Sequence, residues 1–172
     1  MKKFLFVSLL VLLFSDTFAN HISGGELIYR YLGPGSGNSK QYRITLRLFR
    51  DNLGGGAAMP GNVFIGIYNN DLNTQIGNSP FSVNITSTIN VPVTPPPACM
   101  VNPPTLDYSM GSFDLIIELP NNVNGYTAAY QTCCRIFPLE NVLTQNQPAQ
   151  GEGSTYSCII PGSSMLANGT NS

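Results

Sequence analysis

Gln41-Tyr42-Arg43-Ile44-Thr45-Leu46-Arg47-Leu48-Phe49-Arg50 alternates without a break. Tyr42, Ile44, Leu46 and Leu48 fall on one side of an extended chain, and Arg43, Thr45, Arg47 and Phe49 on the other. Successive side chains of a strand point to opposite faces. A period of two therefore predicts a half-buried β-strand, whereas a helix would repeat its apolar positions every three or four residues. Just upstream, Glu26–Leu32 (ELIYRYL) has strand composition, and Gly33–Lys40 between the two is rich in Gly, Pro, Ser and Asn. Two such runs around a turn-forming link read as a hairpin.

The same pattern recurs downstream. Val63–Asn69 (VFIGIYN) alternates with Val63, Ile65 and Ile67 inward, after a loop at Asp51–Asn62 that holds Gly54-Gly55-Gly56 and Pro60. Asn84–Val93 places Ile85, Ser87, Ile89, Val91 and Val93 on one side until Pro95-Pro96-Pro97 stops it. Phe113–Leu119 and Tyr126–Arg135 flank a turn-rich link, and Thr155–Pro161 is the last strand. No stretch has capped helical spacing. About seven strands, rich in Val, Ile, Thr and Tyr and separated by turn residues, predict an all-β fold, an antiparallel Ig-like β-sandwich. The expected domain runs over residues 20–162. Residues 163–172 are expected to be a polar tail, the start of a linker or of a further strand in a longer protein.

The first nineteen residues stand apart. Met1-Lys2-Lys3 is positive, Phe4–Phe14 is wholly apolar, and Ser15–Ala19 ends with Thr17 and Ala19 at the −3 and −1 places. This is the three-part pattern of a secretory signal peptide, residues 1–19. Its apolar run falls short of the roughly 20 residues that cross a bilayer, and no second long apolar run follows, so no integral span is expected after cleavage. Cleavage takes Lys2, Lys3 and Asp16 from eight basic and nine acidic residues and leaves a net charge of −2. With no basic patch, nucleic acid is not an expected partner.

Four cysteines, Cys99, Cys133, Cys134 and Cys158, in an exported chain predict two disulfides. Cys133 and Cys134 would point to opposite faces of a strand, so each is expected to pair separately with Cys99 or Cys158. Cys99 with Cys134 and Cys133 with Cys158 is the preferred arrangement. A zinc site would want Cys-x-x-Cys spacing, which is lacking.

No catalytic constellation is apparent. His21 is the one histidine, and neither a copper site nor a Ser/His/acid triad can be built around it with the partners each needs. Glu26, Asp51, Asp107, Asp114, Glu118 and Glu140 show no spacing that selects a pair. Asp71 near Asn69, Asn70 and Asn73 is the only candidate for calcium, and its spacing fits a plain turn better. No cofactor is expected.

Read in order, several segments carry a resemblance. They are His21-Ile22-Ser23-Gly24-Gly25-Glu26, Tyr29-Arg30-Tyr31, Tyr42-Arg43-Ile44-Thr45-Leu46 with Phe49-Arg50-Asp51, Gly66-Ile67-Tyr68, Pro97-Ala98-Cys99, Gly125-Tyr126, Tyr130-Gln131-Thr132-Cys133-Cys134-Arg135, Gly153-Ser154-Thr155-Tyr156 and Ile160-Pro161. Together they resemble the N-terminal domain of large Bacteroidetes cell-surface proteins, labelled gliding-motility-associated or PKD-domain-containing and exported by type IX secretion. The resemblance implies a secreted or cell-surface location and later domains beyond this one. It departs at Asn52 and around Thr105-Leu106, where the family commonly has Cys, and at Cys158, where it has an aromatic or small residue.

The expected role is therefore non-enzymatic, structural or adhesive, with other surface proteins or extracellular glycans as partners. The alternative is a carbohydrate-binding module, for which Tyr29, Tyr31, Phe49 and Tyr68 are the candidate aromatic face. A secreted hydrolase is the third class.

Overall fold

The computed structural model of the protein describes residues 22–53, 58–132 and 153–167. The signal segment, His21, Gly54–Gly56, Cys133, Cys134, Arg135, Glu140 and the end of the tail lie outside the described residues. Among the described residues are nine strands and one short helix: β1 (Ile22–Pro34), β2 (Ser39–Asp51), β3 (Asn62–Asn69), β4 (Thr74–Gln75), β5 (Phe81–Asn84), β6 (Ser87–Asn90), β7 (Tyr108–Pro120), β8 (Tyr126–Thr132), β9 (Ser154–Ile160) and α1 (Ser163–Ala167). They form two packed antiparallel sheets. The first has the order β1-β2-β7-β6. The second has the order β4-β3-β8-β9, with β5 also on β3. The chain is an all-β sandwich.

The alternation in β2 organises the first sheet. Ile44 lies opposite Tyr29 on β1 and Leu115 on β7, and Leu46 lies opposite Leu27 and Phe113. Directly opposed residues share a face, so one register decides which side chains of all three strands turn inward. Ile44, Leu46, Leu48 and Phe113 are fully buried and meet Val63, Ile65, Ile67, Ala128 and Ile160 from the second sheet in a single core. Each fully buried large apolar side chain contributes roughly 1.5–3 kcal/mol relative to exposure.

Two elements differ from the sequence expectation. The single strand over Asn84–Val93 is two strands in two sheets: β5 pairs with β3, and β6 pairs with β7. The chain crosses between them at Ile85-Thr86, where the Ile85 N–H donates to Gly61 O and the Thr86 N–H to Ser112 O. Ile89 is consequently exposed on the outer side of the first sheet rather than buried. The second difference is the tail, whose first part is the helix α1. The Ser163 and Ser164 N–H groups donate to the carbonyls of Asn122 and Val123, so the tail is tied back onto the β7–β8 link.

The two ends of the sandwich are distinct. At the Pro120 end, Gly125 adopts a positive φ of 74° and lies against Pro161 and Gly162. The Tyr126 hydroxyl there donates to Pro120 O at 2.9 Å and so ties one sheet to the other. At the Asp51 end, the link that carries Cys99 leaves β6 and returns to β7, and β8 reaches its last described residue, Thr132.

Candidate functional site

Charge is divided sharply between the sheets. Glu26 and Arg30 on β1, five charged residues on β2, and Asp114 and Glu118 on β7 belong to the first sheet. The strands β3, β4, β5, β8 and β9 of the second sheet contain no charged residue at all. Strand parity then decides what the second sheet shows to solvent. With Val63, Ile65 and Ile67 inward, Phe64, Gly66 and Tyr68 must face out. Phe64 is 59% exposed, Tyr68 40% and Ile159 54%. The Tyr68 ring lies over Gly66, where an added Cβ would meet it at 3.0 Å. Ala129 and Ser157 continue the row from Gly66, and Thr127 and Ile159 continue it from Tyr68. Asn62 donates to Ser82 Oγ at 2.8 Å beside Phe64. Gln75 lies opposite Tyr68 on β4. The result is an uncharged face of two aromatics and small residues, edged by amides and hydroxyls.

The four aromatics singled out in the sequence do not lie on one face. Tyr29 and Tyr31 fall in register with Ile44 and Tyr42, so they turn to the inner side and pack on the Tyr42 ring at 6.2 and 5.8 Å. Phe49 lies opposite Gly24 and Met110, on the outer side of the first sheet. Only Tyr68 belongs to the uncharged face. Its companion Phe64 was missed, although the inward assignment of Val63, Ile65 and Ile67 already required it to point outward.

The outer side of the first sheet is ionic. Arg47 and Glu26 form an ion pair at 2.7 Å, and Thr45 donates to Asp114 at 2.5 Å. All the described carboxylates are engaged locally. Asp51 accepts from the Leu53 N–H, Asp71 from the N–H groups of Val123 and Asn124, and Asp107 from the Asn52 amide. Glu118 accepts from the Ser36 hydroxyl, the Ser39 hydroxyl and the Ser36 N–H, which hold its carboxyl below the usual carboxylate range. Asp71, the calcium candidate of the sequence, spends its oxygens fastening the β3–β4 turn to the β7–β8 link.

Of the disulfide candidates, Cys99 is exposed, and Cys158 is half-buried and opposite Ala128 with its side chain inward. They are not bonded to each other, and Cys133 and Cys134 lie outside the described residues. Burial pushes the Cys158 thiol up to about 11.

No family model, curated protein or solved structure matches the chain, so its function has to be read from the geometry of these faces and from the sequence resemblance alone.

Proposed function

We propose that this chain is a non-catalytic adhesive domain of an exported bacterial surface protein, and that the outer face of the second sheet is its contact surface. The observation that carries the reading is the uncharged face with Phe64, Tyr68 and Ile159 exposed among small and amide residues. Exposed aromatics of this kind supply large contact area at little entropic cost, and Tyr adds a polar tip. Exposed apolar residues grouped together and rimmed by polar ones are the usual form of an interaction surface. The absence of charge favours a neutral partner surface, because no ion has to be desolvated on contact.

Export and surface location rest on the signal pattern of residues 1–19 and on the resemblance. Two of the places at which the sequence departs from the family meet in the fold. The family's additional cysteines correspond to Asn52 and to the vicinity of Thr105-Leu106. Asn52 and Asp107 are bonded twice, by the Asn52 N–H to Asp107 O at 2.9 Å and by the Asn52 amide to Asp107 Oδ1 at 2.8 Å. The two chain segments at which the family commonly has these cysteines are thus adjacent here, joined by an amide–carboxylate contact.

The test is adhesion of beads coated with the secreted protein to polysaccharide, protein and bare surfaces. Replacing Phe64 and Tyr68 together by Ser should abolish attachment without changing the melting curve. Attachment that survives this double change would place the contact elsewhere. A carbohydrate-binding module is the second reading, favoured by the amides beside the aromatics. A glycan array separates the two, since selective binding to a neutral glycan that is lost in the same variant would assign that narrower role. The first residue of exported protein should be Asn20; an intact Met1 would refute export by cleavage.

A further inference from the structure

The Pro120 end of the sandwich is hollow. Between the sheets there lies a cavity of about 190 Å³ whose lining includes Lys40, Tyr42, Leu119, Asn122, Pro161 and Ser163. We propose that this cavity binds a carboxylate-bearing monosaccharide, a hexuronate in chemistry, with its carboxylate on the Lys40 ammonium and a ring oxygen on the Tyr42 hydroxyl.

Tyr42 is only 7% exposed, yet its hydroxyl has no hydrogen-bond partner among the described residues. It is not one of the polar atoms sealed from solvent, so it keeps an opening, and the cavity is the space that Tyr42 lines. Water entering by that opening serves the hydroxyl in the free protein, and a ligand oxygen can take its place. Tyr126, equally deep in the same wall, instead donates to Pro120 O. Burial and the neighbouring Tyr29, Tyr31 and Tyr126 raise the Tyr42 pKa, so the phenol remains a proton donor at neutral pH.

The charge of the site is equally specific. Lys40 has no carboxylate within 4.0 Å among the described residues, where the only ion pair is that of Arg47 and Glu26. Two acids on neighbouring segments are occupied: Glu118 by serine hydroxyls and Asp71 by two backbone N–H groups. Lys40 is therefore free to meet the anion of a ligand. Other groups around the cavity match sugar hydroxyls. The Asn122 amide donates to Gly125 O and Asn69 Oδ1, which leaves its carbonyl oxygen as an acceptor. Ser163 adds a serine side chain to the lining. Leu119 and Pro161 offer an apolar wall for ring C–H groups. The volume lies below the roughly 300–1,000 Å³ of ordinary ligand pockets, which suits a single ring rather than a larger ligand. The walls are preformed: the Asn121 N–H and amide both bond Asn38, at 2.9 and 2.7 Å.

The experiment is a calorimetric or NMR titration of the secreted protein with D-glucuronate and, separately, D-glucose. Glucuronate should bind with a Kd on the order of 1 mM, about −4 kcal/mol, and glucose at least about tenfold more weakly. Lys40→Met should weaken glucuronate about tenfold or more while leaving glucose unchanged, and Tyr42→Phe should weaken both about threefold or more. Retained melting temperatures of the two variants exclude unfolding as the cause. Glucuronate binding no tighter than glucose, no binding up to roughly 50 mM (about fifty times the expected Kd), or full binding by Lys40→Met overturns the proposal. Because Phe64 and Tyr68 are on the other side of the second sheet, their double variant should titrate like the wild type. Loss of both adhesion and titration in that variant would also overturn the assignment to this cavity.

Discussion

Gly125→Ala tests the mechanical claim on which the Pro120 end depends. Gly125 has φ of 74°, in the left-handed region, where an L-residue pays roughly 1–2 kcal/mol that glycine does not. A methyl there would also land on the carbonyl oxygen of Ile160, and 2.6 Å from the Gly162 nitrogen. Both are backbone atoms of the segment joining β9 to α1, so no flexible side chain can swing aside. Forcing extra volume into a packed site costs about 1–3 kcal/mol. The sum is about 2–5 kcal/mol, a large share of the roughly 5–15 kcal/mol that holds a domain together. Urea unfolding of the secreted protein should show a lowered midpoint with an unchanged slope, and the melting temperature should fall by roughly 4–20 °C. Gly61→Ala is the matched control, since nothing lies within 4 Å of an added Cβ and its φ is not in the left-handed region. It should be neutral or stabilising by up to about 1 kcal/mol. A loss below about 1 kcal/mol for Gly125→Ala, or equal losses at both glycines, would refute the close approach of Gly125 to the β9–α1 link.

Tyr126→Phe removes the hydroxyl that bonds Pro120 O and should cost about 0.5–1.5 kcal/mol in urea unfolding; no measurable change would mean that the tie between the sheets is idle. Glu118→Gln should lower stability at pH 7. The folded carboxyl has its pKa depressed by the Ser36 and Ser39 hydroxyls, so its contribution is present above the unfolded value near 4.3 and lost as pH falls through the folded one. The gap between wild type and variant should therefore close on acidification below about pH 4, and a gap that widens would contradict this sign. In reduced native protein, iodoacetamide should modify exposed Cys99 well before Cys158, whose raised pKa leaves little thiolate at pH 8; equal rates would refute its burial. Oxidised protein should contain no free thiol, each bridge adding about 2–4 kcal/mol, and a Cys133–Cys134 bridge on peptide mapping would overturn the two-bridge pairing.

The sandwich was legible because β2 and β3 repeat with period two over their whole length, and a strand buried on one face has no other way to place its apolar set. The crossing at Ile85-Thr86 was not legible. Residues 84–93 keep an alternating pattern through it, and nothing local marks that the partner strand changes from β3 to β7. The aromatic face was misread for a related reason. Tyr29, Tyr31, Phe49 and Tyr68 look alike in composition, but their facing depends on register with neighbours, which single strands do not reveal. The cavity was invisible for a further reason: Lys40, Tyr42, Asn122 and Ser163 are up to about 120 positions apart, and only the closure of two sheets brings them together.

The division of charge between the sheets follows from where the open edges are. In the first sheet, β1 ends the sheet on one side, and β6 covers β7 only from Ser109 to Ser112. The rest of β7 down to Pro120 has an unpaired edge among the described strands. Open edges invite pairing with other chains, and charges or proline are the usual guards. Arg30 on β1, and Asp114, Glu118 and Pro120 on β7, stand where that argument needs them. The second sheet is protected otherwise. β9 lies against β1, where an added Cβ on Gly25 would come within 3.1 Å of the Tyr156 ring. The opposite edge, along β3, is taken by two short strands, β4 and β5. Between them the Ser79 hydroxyl accepts the Ile67 N–H at 2.8 Å, filling the one gap in the ladder with a side chain. With its β3 edge taken by these short strands, the second sheet needs no charged guard there. That leaves the row from Phe64 through Tyr68 to Ile159 free of ions, and a partner can cover it without first having to strip one of water.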